Sequence, residues 1–280
     1  MKPVVAVIAT GDMGAGVGGR LTENGLRVVT SLANRSAASA KRAAAARMEP
    51  VSDTQIATAD FVLSIVPPGE AVALAERLAP ALAQSATKPV YVDCNAISPN
   101  TVPRIVAALE PTGCRFVDAG IIGQSPQPGG KGPVLYASGP DADAFALLRD
   151  YGLDIRVLDG PLSAASALKM SYGGITKGMT AIATAMILAA TRGGSAAALN
   201  EELQASFPPF PWMNRQVNGM YHRAYRWVAE MEEIADFAGD DDIRDMYLAI
   251  SRLYQKMARD FDGAQTEVQT LKAFFEPDRT

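Results

Sequence analysis

Short apolar runs alternate with helix-like stretches along the first half of the chain. Runs rich in β-branched residues predict strands at Val4–Ile8, 26–32, 61–66, 89–93, 115–118 and 134–138. Apolar residues at helical spacing predict helices at 15–26, 37–47, 70–84 and 101–109. Because strands that alternate with helices pair in parallel, residues 1–160 are expected to form an α/β Rossmann-type domain with a parallel sheet.

The strand pattern ends near Gly160. No proline interrupts residues 163–193, which predicts one helix of about 45 Å. Further helices are predicted at 195–206, 212–237, 241–261 and 266–275. Residues 161–280 are therefore expected to form an all-helical domain. Its most apolar stretch, 178–190, is shorter than the ~20 residues of a membrane span and is typical of a core helix.

Composition narrows the possible partners. A net charge of −4 over 280 residues predicts neither a nucleic acid nor a membrane as partner, so we expect a small-molecule substrate. Cys94 and Cys114 form no C-x-x-C pair and no secretory signal is evident, which favours the cytoplasm. Asp240, Asp241 and Asp242 lack calcium-loop spacing, and no metal is predicted.

A glycine-containing turn follows the first strand and precedes a helix. Backbone N–H groups and the helix dipole at such a turn bind phosphate, and the turn approximates the G-x-G-x-x-G fingerprint of dinucleotide sites. Ala9 stands at its first position, a mild departure because that position mainly makes a tight turn. The predicted cofactor contacts here are Thr10, Gly11, Asp12, Met13 and Gly14.

The tip of the second strand bears on the choice between NAD and NADP. An acidic residue there would select NAD by binding the ribose 2′-hydroxyl, but this tip carries Asn34, Arg35 and Ser36. A guanidinium and a hydroxyl attract a 2′-phosphate, so NADP is favoured over NAD. Alternatively, Ser36 caps the helix that follows and Arg35 is solvated; both interpretations can hold together.

Few side chains are candidates for acid–base chemistry. His222, the only histidine, lies in a predicted helix and is expected to be solvated or satisfied. Lys169 lies in the first turns of the long helix, on one face with Ala165, Ser166 and Gly173, which leaves room for a ligand. The alternative is a surface lysine that extends from a core helix.

The whole chain resembles the β-hydroxyacid dehydrogenase family, which includes 3-hydroxyisobutyrate and 6-phosphogluconate dehydrogenases. It looks most similar to a branch with a phosphogluconate-dehydrogenase-like C-terminal domain. The resemblance rests on the order and spacing of segments in residues 1–178: GDMG at 11–14, NRS at 34–36, IVPP at 65–68, DCNAISP at 93–99, DAGIIG at 118–123 and ALKM at 167–170.

This resemblance implies roles for individual residues. Lys169 would be the general acid/base that acts on the substrate oxygen, and the protein would be a homodimer assembled through the helical domain. Pro67 and Asn95 would lie near the nicotinamide side of the cofactor, and Val66 and Pro68 are further expected cofactor contacts. The implied substrate contacts are Ile121, Ile122, Gly123, Tyr172 and Gly173.

Three departures from the family pattern affect the expected substrate. Tyr172 and Gly173 replace the asparagines of K-x-x-N-N, and Tyr172 can supply a replacement donor. Ile122 replaces a serine and cannot hydrogen-bond a carboxylate, which favours either a less polar substrate than a small 3-hydroxy acid or a substrate held from the helical domain. Thr176 replaces the glutamate of decarboxylating relatives, so no decarboxylation is expected.

The sequence thus predicts an NADP-dependent oxidoreductase that transfers hydride between the nicotinamide and a secondary alcohol or ketone, with Lys169 as acid/base. One alternative is C=N reduction, since imine reductases share this architecture, although they commonly lack a lysine here. A second alternative is a non-catalytic NADP-binding sensor, which would tolerate loss of the lysine.

Overall fold

The computed structural model describes residues 2–127 and 129–276. The chain divides into two compact units, the first ending at Met170 and the second beginning at Ser171. The division falls inside the long helix, whereas the sequence pattern places a domain boundary at Gly160.

The first unit contains one eight-stranded sheet. Its strands are β1 (Val4–Ile8), β2 (Arg27–Thr30), β3 (Glu49–Pro50), β4 (Phe61–Ser64), β5 (Val90–Asp93), β6 (Arg115–Ile122), β7 (Val134–Ser138) and β8 (Asp154–Val157). Their order is β3-β2-β1-β4-β5-β6-β7-β8. All neighbours are parallel except β6 and β7. The expected Rossmann-type fold is confirmed, with one antiparallel strand that the alternation of elements does not reveal.

Helices cover both faces of this sheet. They are α1 (Asp12–Glu23), α2 (Ala37–Ala45), α3 (Asp53–Ile56), α4 (Ala71–Gln84), α5 (Val102–Leu109), α6 (Ala142–Ala146) and the start of α7 (Ala164–Arg192). Along β1, Val5 and Val7 join the hydrophobic cluster on one face and Ala6 and Ile8 the cluster on the other. A strand buried on both faces has no polar alternation, which explains the continuous apolar runs.

Several short elements were missed by the sequence pattern. Strand β3 is two exposed residues, and β8 carries charged residues at Asp154 and Arg156, so neither has an apolar run. Helices α3 and α6 are too short to show helical periodicity. Helix α1 begins at Asp12, earlier than the predicted residue 15, because the glycine-containing turn itself adopts helical geometry.

The second unit is all-helical, as expected. After α7 it contains α8 (Ala196–Ser206), α9 (Phe210–Met220), α10 (Ala224–Ala238), α11 (Asp241–Asp262) and α12 (Thr266–Phe275). The single helix predicted over 212–237 is wrong: a 3₁₀ turn at Tyr221–Arg223 separates α9 from α10. Tyr221 and Ala224 are both buried, so the apolar periodicity continues through the break. His222 lies in this turn and is exposed.

Packing in the second unit centres on aromatic and paired polar residues. Trp227 contacts Tyr254 edge-on, with ring centroids 5.1 Å apart. Lys177 forms an ion pair with Glu230 and lies 5.5 Å from the centroid of the Trp227 ring. Asn200 donates to the Phe274 carbonyl at 2.7 Å. Removing the Lys177–Glu230 ion pair from water costs free energy. The close contact of the two charges and the neighbouring Trp227 ring offset that cost.

Helix α7 is also the one helix among the described residues that is long and apolar enough to cross a membrane. Its 29 residues exceed the apolar stretch that the sequence pattern marks as too short for a span. In its most apolar window, 44% of the residues are buried inside the protein. Core helices of soluble proteins have the same length and composition, so this helix is weak evidence for a membrane.

Candidate functional site

The glycine-containing turn presents backbone donors at the start of α1. Gly11 is the N-cap residue and makes no side-chain cap. The first-turn N–H groups of an α-helix have no intrahelical partner, so they are available to an anion. A Cβ atom added to Gly14 would overlap the Ala9 carbonyl oxygen, so no larger residue fits there. In the described part of the chain nothing lies within 4 Å of a Cβ added to Gly11.

Thr10, within this turn, has an unsatisfied hydroxyl. Its Oγ1 is buried and has no hydrogen-bond partner among the described residues. Burying a hydroxyl without a partner costs about 1–3 kcal/mol. A ligand carrying phosphate or hydroxyl oxygens would supply the missing partner. The turn therefore fits a dinucleotide phosphate on both its free N–H groups and its unpaired side chain.

The tip of β2 is more structured than the sequence indicates. Ser36 Oγ accepts from the Ser39 N–H at 3.2 Å and caps α2, as the alternative interpretation holds. Arg35 is not solvated: its guanidinium contacts Glu70 Oε2 at 3.4 Å and its side chain is 22% exposed. Asn34 is exposed, with a positive φ of 59°.

Arg42 is a functional candidate that sequence reasoning missed. Its Nε donates to the Thr10 carbonyl at 2.8 Å and its Nη2 to Ser39 Oγ at 3.4 Å. The guanidinium also lies 3.9 Å from Asp12 Oδ1. Ser36, Ser39 and Arg42 thus form a polar row along the start of α2, and the row ends at the glycine-containing turn. Only the spacing of Ser36, Ser39 and Arg42 at three-residue intervals could have indicated it.

Asn95 organises the ends of β4 and β5. Its Oδ1 accepts from the Val66 N–H at 2.6 Å. Its Nδ2 donates to Ser64 Oγ at 2.8 Å and to Asp93 Oδ2 at 2.7 Å. Asp93 Oδ1 also accepts from the Asn95 N–H at 3.0 Å. The structure thus brings Val66 and Asn95 together through buried hydrogen bonds; Pro67, next along the chain, is exposed.

Lys169 lies against the carboxyl end of β6. Its ammonium donates to the Ile121 carbonyl at 2.7 Å, and its side chain is half-buried. A Cβ atom added to Gly120 would lie 2.9 Å from the Ala165 carbonyl oxygen and 3.1 Å from Lys169 Cβ. The helix backbone therefore packs directly on the strand, so the predicted room against Ala165 is filled by β6.

Side chains of the sheet cap the first turn of α7. Asp118 accepts from the Ser166 N–H at 2.8 Å and from Ser166 Oγ at 2.6 Å. Ser138 Oγ accepts from the Ala165 N–H at 2.9 Å. A carboxylate at a helix N-terminus is favoured by the helix dipole. The turn that precedes Lys169 is therefore held by contacts that are distant in sequence.

Asp93 and Asp118 are partners in the register of β5 and β6, and both are buried. Burial raises the pKa of Asp93 to about 7, with the nearby Asp118 charge as a further cause. Burial likewise raises the pKa of Asp118 to about 6, although bonds from Ser166 oppose this rise. Desolvation disfavours the charged form, which is the dominant effect for both carboxyls.

The remaining predicted residues divide between the units. Ile122 is half-buried and pairs with Val134 at the end of β6. Gly123 has a φ of 129°, which favours glycine. Tyr172, which is exposed, and Gly173, which is buried, belong to the second unit. Pro68 begins a 3₁₀ turn after β4, and Met13 is half-buried in the first turn of α1.

Parallel strands align the main groups along one edge of the sheet. Strands β1, β4, β5 and β6 are consecutive neighbours and run parallel. Their carboxyl ends lead to the glycine-containing turn, Val66, Asn95 and Ile121. Ligands of open α/β sheets bind outside these ends. The arrangement can hold a dinucleotide and place an ammonium group near its path.

Two family profiles match the chain. One, described as the NAD binding domain of 6-phosphogluconate dehydrogenase, covers residues 4–151. The other, described as a domain of unknown function (DUF1932), covers residues 190–257. An uncharacterized 28.5 kDa protein in the 7S RNA 5′ region of Methanothermus fervidus is 30% identical over 127 residues. That match spans 45% of this chain and 46% of the relative, so about half of the relative's length is covered.

Solved structures share the fold over nearly the whole chain. The conserved protein MTH1747 of unknown function, described as similar to 3-hydroxyacid dehydrogenases, is 30% identical with a TM-score of 0.70. The match covers 92% of this chain and 98% of that one. The 3-hydroxyisobutyrate dehydrogenase of Mycobacterium tuberculosis is 18% identical with a TM-score of 0.69, covering 98% and 100%. An imine reductase from Pseudomonas sp. is 17% identical with a TM-score of 0.57, covering 95% and 100%.

The fold and the matching profile place the chain in the class of proteins built on the NAD(P)-binding domain of dehydrogenases. The chain belongs to the β-hydroxyacid dehydrogenase family, with the NAD-binding domain of 6-phosphogluconate dehydrogenase followed by a helical C-terminal region.

Proposed function

We propose that the protein is an NADP-dependent oxidoreductase that interconverts a secondary alcohol and a ketone, with Lys169 as the general acid/base. In this proposal residues 1–160 bind the cofactor, and residues 161–280 provide substrate and dimer contacts. The bound nicotinamide would supply or accept the hydride. The proposal rests on one observation above all: the Lys169 ammonium is held at the carboxyl end of β6 by the Ile121 carbonyl.

The Lys169 ammonium suits proton exchange with a substrate oxygen. It is a donor on a half-buried side chain whose helix turn is anchored to the sheet, so its position varies little. A group held within hydrogen-bond reach of a substrate oxygen would give its proton during reduction and take one during oxidation. Both Ile121 and Lys169 belong to the first unit, as do the cofactor contacts.

Two arginines favour NADP over NAD. Arg35 at the tip of β2 and Arg42 on α2 offer guanidinium donors, and Ser36 and Ser39 add hydroxyls near them. A guanidinium binds phosphate through forked, charge-assisted hydrogen bonds. Glu70 opposes this preference because its carboxylate already contacts Arg35. The row Ser36, Ser39 and Arg42 therefore supports the proposal more than Arg35 alone.

The substrate is proposed to be less polar than a small 3-hydroxy acid. Ile122, where family members carry a serine, ends β6 one residue after the carbonyl that holds Lys169. An isoleucine side chain offers no donor to a carboxylate. We therefore favour a ketone or alcohol flanked by apolar groups, without decarboxylation since Thr176 replaces the glutamate.

A substrate panel tests the proposed reaction. Purified protein is assayed with NADPH on ketones and imines, and with NADP⁺ on secondary alcohols and hydroxy acids. Lys169→Met is compared with Lys131→Met, which removes an exposed lysine from the same unit. The proposal expects ketone and alcohol turnover that Lys169→Met reduces at least about a hundredfold while the control is unaffected.

Each other outcome of the panel has a distinct meaning. Full activity of the Lys169→Met variant would remove the proton-transfer role. Turnover of imines alone would favour C=N reduction. Binding of NADPH without turnover of any compound would favour a non-catalytic sensor. A preference for NADH would contradict the assignment of the β2 tip.

We further propose a homodimer formed through α7, in the cytoplasm. In the second unit α7 exposes a row of large apolar residues: Ile175 at 63%, Met179 at 41%, Ile182 at 60% and Met186 at 57%. Their spacing of four, three and four residues is that of a helix-pairing seam. A contiguous apolar row of this kind marks an association surface. The unpaired Cys94 and Cys114 are compatible with a reducing compartment.

Charge introduced into this row tests the dimer. Ile182→Glu is expected to yield a monomer in light scattering coupled to size exclusion, because a buried unpaired carboxylate opposes association. Leu147→Glu is the matched control, since Leu147 is equally exposed but lies in the first unit. A variant that stays dimeric, or a wild-type protein that is monomeric, would contradict the proposed interface.

A further inference from the structure

Two buried carboxyls lie side by side beneath the site, and no step of the proposed reaction uses them. Asp93 and Asp118 face each other in the register of β5 and β6. Each has both oxygens engaged, and their partners are on different elements. Burying two adjacent carboxyls is costly unless each is hydrogen-bonded, and here each is bonded to a different part of the fold.

The two shortest bonds of Asp118 hold the helix turn that precedes Lys169, and a third, at 3.4 Å, comes from Ser138 Oγ, which itself accepts from the Ala165 N–H of that turn. The two Asp118 oxygens accept from the N–H and Oγ of Ser166, at the first turn of α7. Lys169 is the residue three positions later, on the same face of the helix. The strand in turn supplies Gly120 for close packing and the Ile121 carbonyl for the ammonium. A helix fastened at Ser166 therefore sets where the Lys169 stem begins.

The hydrogen bonds of Asp93 involve Asn95, which follows the end of β5. Asp93 accepts from both the N–H and the Nδ2 of Asn95. Asn95 in turn accepts from the Val66 N–H, which fixes the backbone after β4. Both residues are among the expected cofactor contacts. Asp93 is thus connected to expected cofactor contacts, and within the part of the chain that the structure describes none of its bonds reaches α7.

We propose that Asp93 and Asp118 are positioning residues with separate tasks: Asp118 positions Lys169, and Asp93 positions Asn95 and Val66. The catalytic meaning of this division rests on the proposed function, because it assumes that Lys169 is the acid/base. The division of contacts itself does not, so the two can be tested separately.

The test compares Asp118→Asn with Asp93→Asn, the same change at the register partner. Asparagine has one acceptor oxygen where the Asp118 carboxylate has two. In the wild type the N–H and the Oγ of Ser166 each donate to a separate carboxylate oxygen. Protein without cofactor is treated with acetic anhydride, and the rate of Lys169 acylation is measured by peptide mass spectrometry. NADPH affinity is measured by fluorescence titration, and circular dichroism confirms folding.

Asp118→Asn is expected to raise the rate of Lys169 acylation about tenfold, because losing a charge-assisted bond releases the helix turn. Its NADPH affinity should stay within about twofold of the wild type. Asp93→Asn should do the reverse, weakening NADPH about tenfold and leaving Lys169 acylation unchanged. Where activity is found, Asp118→Asn should lower kcat far more than it raises KM.

Equal effects of the two variants on both measurements would overturn the division of tasks. If Asp118→Asn does not fold, Ser166→Ala decides, since it removes the Oγ bond alone and should raise acylation about threefold. An unchanged acylation rate in that variant would refute the role of Asp118. Should Lys169→Met retain activity, the proposed function fails while the acylation result stands independently.

Discussion

Replacing Asp93 by asparagine should change how the stability of the protein depends on pH. Burial raises the pKa of Asp93 from 3.8 to about 7. Between those values the folded state binds this proton more tightly than the unfolded state does. The free energy of unfolding therefore falls as pH rises from about 4 to about 7. The stability that depends on the protonated Asp93 carboxyl is fully present at about pH 4 and is lost as pH rises through about 7.

The size of the effect follows from the window. One pH unit corresponds to about 1.4 kcal/mol, so a window of about three units sets a ceiling near 4 kcal/mol. Asp118, whose pKa is raised to about 6, loses its proton in the same pH range. Because the two carboxyls interact, the free-energy cost of the second negative charge belongs to the pair and not to Asp93 alone. Domain stabilities are about 5–15 kcal/mol, so even half of the ceiling is measurable. Asp93→Asn should remove this loss of stability, so that the free energy of unfolding depends less on pH.

Urea denaturation between pH 4.5 and 8 provides the measurement. Far-UV circular dichroism reports the whole chain, while fluorescence of Trp212 and Trp227 reports the second unit, which contains both tryptophans. Glu110→Gln removes an exposed carboxyl from the first unit and serves as the matched control. Wild-type and Asp93→Asn profiles that run parallel across this range would refute the argument from burial.

Three further predictions concern the cofactor site and the support of the helix. Glu70→Gln should strengthen NADPH binding up to about fivefold without changing NADH, because it frees Arg35 from a surface ion pair; an unchanged NADPH titration would count against Arg35. Arg42→Gln should weaken NADPH binding about tenfold in the same titration, and equal affinity would exclude it from the site. Gly120→Ala should cost about 1–3 kcal/mol in thermal denaturation, since its Cβ meets the Ala165 carbonyl at 2.9 Å; an unchanged melting temperature would contradict the close packing.

The fold was largely predictable because most elements of the chain carry a clear apolar period. Strands such as β1 and β4 are continuous apolar runs, since helices cover both of their faces. Strand β8 escaped prediction because alternating charged residues leave it without such a run. The break at Tyr221–Arg223 escaped because a 3₁₀ turn of three residues keeps the buried positions in phase.

The site was predictable only where a motif is local. The glycine-containing turn and the β2 tip each occupy a few consecutive residues, so the sequence alone is enough to propose them as cofactor contacts. Arg42 acts on the Thr10 carbonyl from 32 positions away, and Asp118 acts on Ser166 from 48 positions away. Contacts of that span depend on the pairing of strands, which no local pattern specifies.

The contacts described above for Lys169 and its helix turn come from residues that precede the second unit. Ser138, the strand β6 and Ser166 all lie before Met170, where the first unit ends. Recombination that exchanges the chain from Ser171 onward would leave this support intact. If the proposed function holds, exchange of the second unit could change assembly while the groups that position Lys169 are inherited unaltered from the first unit.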